Sequence, residues 1–153
     1  MKALLAVLLF SLAGCGGPGS LLNPYDRTQV PRVTVDLPPG APPQFRWTPA
    51  DAEWVEVRDA SGRTVWRVRE GGGMHGVLPV TSPVAYGAGF PHDQPPPPDG
   101  SVIVMTTPPE PLRPGATYTV IVHRRDERAA ASGGGFTGLR PNVYEGTATF
   151  TVR

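Results

Sequence analysis

Few residues in this chain carry side chains suited to covalent or metal chemistry. Cys15 is the only cysteine, and it sits in LLFSLAGCGGPGS, directly after an apolar run and directly before a Gly/Pro-rich stretch. A thiolate is a good nucleophile, so Cys15 is chemically an attachment point. With no second cysteine it forms no internal disulfide. The histidines are His75, His92 and His123. A zinc site needs three or four converging His, Cys, Asp or Glu ligands. His92 is the only histidine with an adjacent second ligand, Asp93; the pair lies in a proline-rich loop, and no metal site is expected. His123 falls on the polar side of its strand and is expected to be exposed. No serine stands in a Gly-x-Ser-x-Gly elbow, and Ser61 and Ser82 read as turn residues. Gly71–Gly73 and Gly133–Gly135 precede neither a helix nor a Lys-Ser/Thr pair, so they are flexible loops rather than phosphate cradles. Asp93 and Asp99 are too sparse for a calcium loop. The expectation is a protein that is not an enzyme and that carries no metal or other cofactor.

Cys15 follows a recognisable leader. Met1-Lys2 supply a positive start and residues 3–13 are almost wholly apolar. As a helix these eleven residues span about 16 Å, roughly half of a hydrocarbon core. That length suits a signal peptide and not a membrane span. Leu12-Ala13-Gly14-Cys15 resembles the lipobox of bacterial lipoproteins at every position. The resemblance implies that the sulfur of Cys15 receives a diacylglycerol, that residues 1–14 are removed, and that the new amino terminus is acylated. Two or more acyl chains hold a protein stably to a bilayer, at ~0.8 kcal/mol per buried methylene. Gly16, where an aspartate would signal otherwise, favours the outer membrane in a cell with two membranes. Residues 15–29 then form the lipidated terminus and a tether, which reaches at most roughly 46–50 Å and about 20 Å as a flexible coil.

Composition narrows the partners. Lys2 is the only lysine, so without the leader 13 arginines face 13 acidic residues. That balance argues against nucleic acid, or a charged membrane surface, as a broad electrostatic partner. Gly (19) and Pro (20) make up about a quarter of the chain, near the level that suggests disorder. They cluster in blocks, however, and between the blocks the apolar residues alternate cleanly.

From residue 30 the period is two. Val33, Val35 and Leu37 alternate with polar neighbours, as do Phe45 and Trp47, Val55 and Val57, and Trp66 and Val68. Tyr118, Val120 and Val122 follow, then Tyr144, Ala148, Phe150 and Val152. The run 101–105 is apolar apart from Ser101, as a strand buried on both faces would be. About seven strands separated by turn signals predict an all-β, antiparallel β-sandwich over residues 30–153. LRPGATYTVIV, residues 112–122, resembles the corner before the penultimate strand of fibronectin type III and related immunoglobulin-like domains. That resemblance implies an inward Leu112, a turn at Pro114-Gly115 and a hydroxyl-anchored Tyr118. FRWTP resembles the second strand of the same family, with Trp47 in the core, and WVEVRDASGRTVW resembles its next hairpin. The resemblance covers roughly 30–70 and 100–153. It departs at an insertion, residues 69–100, and at a long final loop, 126–142.

Sandwich loops and outward aromatics are the candidate working surface. Trp54 on the outer side of its strand, Phe90 in the insertion and Phe136 in the final loop are the candidate binding residues. The expected function is a lipid-anchored envelope module that holds a protein partner near the membrane without catalysis. The alternative is a carbohydrate- or peptidoglycan-binding lipoprotein, in which Trp54 and the loop aromatics stack on sugar rings.

Overall fold

The structure is a computed structural model that describes residues 27–73, 76–92, 94, 103–125 and 143–153; Cys15 and Phe136 lie outside these. The described residues are almost entirely strand and turn, with one 3-10 turn at Arg27–Gln29. The strands are β1 (Arg32–Asp36), β2 (Gln44–Thr48), β3 (Asp51–Ala52), β4 (Trp54–Arg58) and β5 (Thr64–Arg69). Then come β6 (Gly71–Gly73), β7 (Gly76–Leu78), β8 (Val80–Thr81), β9 (Val84–Ala85), β10 (Phe90–Pro91), β11 (Val104–Thr107), β12 (Thr117–Arg125) and β13 (Val143–Thr151). This exceeds the seven expected, because the insertion contributes several strands of two or three residues.

Two sheets carry the architecture, in a sandwich-like arrangement. The smaller has the order β1-β2-β9 and the larger β10-β11-β5-β4-β12-β13. Alternation explains the core. Phe45 and Trp47 of β2 point inward from the small sheet; Val55, Val57, Trp66, Val68, Tyr118, Val120, Val122 and Phe150 meet them from the large one. Phe45 bridges the layers, with its ring 5.9 Å from Trp66 and 5.6 Å from Phe150, at tilted angles that suit aromatic pairs.

Three local devices fix the frame. Asp59 shapes the β4–β5 turn, its Oδ1 accepting from the backbone N–H groups of Ser61 and Arg63 and from the Ser61 hydroxyl. The Ser61 hydroxyl holds the Asp59 carboxyl below its usual range. At the corner before β12, Gly115 adopts φ 77°, the region only glycine enters freely, and Tyr118 Oη accepts the Arg113 N–H at 3.0 Å. Where β1 begins, the Pro31 backbone lies directly on Gly146 of β13, so closely that a Cβ there would sit 2.0 Å from the Pro31 oxygen.

Two expectations are corrected. The apolar run near residue 104 is not a strand buried on both faces: β11 is only partly buried and lies second from the sheet edge, beside β10. Gly71–Gly73 is not a flexible loop but strand β6, paired with β7. Val80 and Val84 are buried, and β9 pairs with β2 as the third strand of the small sheet.

Candidate functional site

The large sheet turns its outer face to solvent, and the register there assembles a site from four strands. Trp54 of β4 stands opposite Arg69 of β5 and His123 of β12, and His123 stands opposite Glu145 of β13. One rung therefore reads Arg69, Trp54, His123, Glu145. The next reads Arg67, Glu56, Ile121, Thr147. An open cleft of about 680 Å³ lies over these rungs, lined among others by Trp54, Arg58, Arg67, Arg69, His123 and Glu145.

Glu56 is the anomaly in this face. It points outward by its position in β4, yet its side chain has 0% exposure. Arg67 donates from Nε to Glu56 Oε2 at 2.7 Å and again from Nη2, and the Thr64 hydroxyl donates to the same oxygen at 3.2 Å. Arg58 Nη2 meets Oε1 as an ion pair that lacks hydrogen-bond alignment. The arginine side chains keep 40% (Arg58) and 39% (Arg67) exposure although their guanidiniums contact the carboxylate. One buried negative charge thus answers two fixed positive ones.

Beside this cluster the Trp54 and His123 rings stack, with centroids 3.4 Å apart and planes 20° apart. Because β4 lies between β5 and β12, Arg67 reaches Trp54 from the opposite side, its guanidinium carbon 5.3 Å from the ring centre. His123 is not exposed as expected; its side chain is 16% accessible, and Nε2 lies 3.0 Å from Glu145 Oε2. Burial pushes the His123 imidazole below its ordinary value, against the pull of Glu145, Glu56 and Glu53. The shift favours the uncharged imidazole, whose Nε2 faces the Glu145 carboxylate. Glu53 and Glu70 close the upper rim of the cleft, Glu53 in an ion pair with Arg125.

Of the residues singled out in the sequence, Trp54 does lie on the outer face and does line the cleft. It is partly buried, and His123 stacks on its ring, which reduces the flat surface that sugar stacking needs. Phe90 is brought to the far edge of the same sheet, where it pairs with Val104 and does not line the cleft. Arg58, Glu56, Arg67, Arg69 and Glu145 were missed. The alternation places each of them outward, but on one strand it cannot show which residues meet across neighbouring strands. Among the described residues no three of His, Cys, Asp or Glu converge as a metal would require. A second cleft, at the opposite end of the sandwich, is lined by Arg63, Glu110 and Asp59, whose charges already pair with one another.

No family model matches this chain, and neither a curated protein nor a solved structure matches it.

Proposed function

We propose that this chain is a membrane-anchored envelope lipoprotein that displays a fibronectin type III-like sandwich as a non-catalytic interaction module. The fibronectin-like reading is supported by the β1-β2-β9 sheet facing β13-β12-β4-β5, and by the Arg113–Tyr118 bond at the corner. The anchor rests on the lipobox-like Leu12-Ala13-Gly14-Cys15. The observation that carries the binding role is the outer-face cleft, whose side chains are locked by one another before any ligand arrives. Glu56 fixes Arg58 and Arg67, and His123 fixes Trp54. Preorganised groups lose little freedom on binding, which favours affinity. The sugar-binding alternative has less support, because His123 already stacks on the Trp54 ring and Phe90 does not line the cleft.

Membrane fractionation combined with intact mass tests the anchor. The expected result is a chain that starts at Cys15, carries acyl groups and sediments with membranes. The Cys15→Ala variant should move to the soluble fraction or retain its leader. An unmodified wild-type chain in the soluble fraction refutes the proposal.

A further inference from the structure

The exposed large apolar side chains among the described residues are Leu78 (48%) and Val143 (51%), and both lie at one end of the sandwich. Val143 opens β13 and pairs with Arg125, the last residue of β12. Pro79, the chain neighbour of Leu78, lines a small cleft together with Arg124 and Arg125. The described chain begins at this same end: Arg27–Gln29 form the 3-10 turn, and Gln29 accepts from Arg124. The β4–β5 turn, with Ala60 at its tip, lies at the opposite end, where Arg58 pairs with Thr119 near the start of β12. The nine residues of β12 separate the two ends by about 30 Å.

We propose that the Leu78–Val143 end of the sandwich rests on the apolar–polar boundary of a phospholipid bilayer. The inference rests on the lipid-anchor reading and adds to it the face that the anchored body turns to the membrane. Chain length argues for the bilayer as occupant. Cys15 and Arg27 are twelve residues apart, a length that spans about 20 Å as a coil and at most about 40 Å extended. An acylated Cys15 therefore holds the Arg27 end near the lipid at high effective concentration, with the Ala60 end about 30 Å further out. Charge does not drive the contact. Arg27, Arg124 and Arg125 stand against Asp51, Glu53 and Glu70, and Arg125 already pairs with Glu53. What remains is apolar surface, whose burial is favourable without regard to headgroup charge. Two such side chains bury too little to hold a free protein on a membrane; on a tethered one they need only set its orientation.

The test uses the full-length acylated protein in phosphatidylcholine vesicles. Leu78→Cys, Val143→Cys and Ala60→Cys, all at exposed positions, are each labelled with the same environment-sensitive thiol dye. The vesicles carry a lipid spin-labelled high on its acyl chain as quencher. The dyes at positions 78 and 143 should be quenched at least about threefold more than the dye at 60, because an interfacial contact lies about 5–10 Å deep. Leu78→Asp should about halve the quenching at position 143, since a charge there resists the apolar boundary. Adding anionic lipid should change neither result. Equal quenching at the three sites, no effect of Leu78→Asp, or quenching that needs anionic lipid overturns the proposal. So does a signal that varies with the protein-to-lipid ratio, as contact with a second copy would produce. Acylation occupies the Cys15 sulfur, so the parent chain should take up no dye. Dye uptake by the parent overturns the anchor and this inference with it, whereas an acylated chain with unquenched dyes overturns this inference alone.

Discussion

Removing either side of the Glu56 clamp should have very unequal effects. Arg67→Ala leaves the Glu56 carboxylate with Arg58 as its one charged partner, in a contact that lacks hydrogen-bond alignment, and with the Thr64 hydroxyl at 3.2 Å. Stranding a buried charge in this way costs about 3–5 kcal/mol; with Arg58 still present, the lower end applies. Glu56→Leu removes the buried charge instead. The two arginine side chains are already 40% and 39% exposed, which leaves them room to turn to water, and leucine fills the space beside Ile121, the cross-strand neighbour of Glu56. Replacing a buried ion by a hydrophobe of similar volume is often close to neutral, so a change within about 1 kcal/mol is expected. The gap between the variants is then about 2 kcal/mol, or roughly 1 M in urea midpoint for a slope near 2 kcal/mol/M. Equilibrium urea unfolding followed by tryptophan fluorescence measures it directly. If Glu56→Leu proves as damaging as Arg67→Ala, the carboxylate is not a clamp and the reasoning fails.

Two further outcomes follow from the frame. Gly146→Ala should destabilise the sandwich by about 3 kcal/mol, the upper end of ordinary overpacking because the obstacle is the Pro31 backbone. Scanning calorimetry should show Tm lower by about 10 °C, against almost no change for the exposed neighbour Thr147→Ala; a fall below about 2 °C refutes the close approach. The depressed His123 value makes stability depend on pH. The unfolded chain takes up the proton first, near pH 6.5, so folded-state stability is complete above about 6.5 and declines as the pH falls toward the lower folded value. His123→Gln should flatten that decline, and an NMR titration of the imidazole giving 6.5 or above would contradict it.

Much of the sandwich was legible because alternation dictates which side of a strand a residue occupies. Val55 and Val57, Tyr118 and Val120 had to face inward wherever the strands went. The outer face was harder to read for the same reason. Glu56 and His123 are correctly outward by parity, but parity says nothing about cover. That depends on Arg67 and Trp54 arriving from neighbouring strands in a register set by turns. Val84 was hidden differently: its strand is two residues long, too short for any period to show, and only pairing with β2 reveals it as part of the small sheet. The Leu112–Tyr118 corner was readable because glycine and tyrosine are required there by conformation and by hydrogen bonding, not by pattern.

The close seat of Pro31 on Gly146, together with Gln29 accepting from Arg124, determines how the body takes mechanical load. Force applied at the amino-terminal side would meet β1 first, which five rungs hold to β2 and the Pro31 seat holds to β13. The cleft belongs to the other sheet and shares no rung with β1, so a disturbance of the β1–β2 ladder need not reach it.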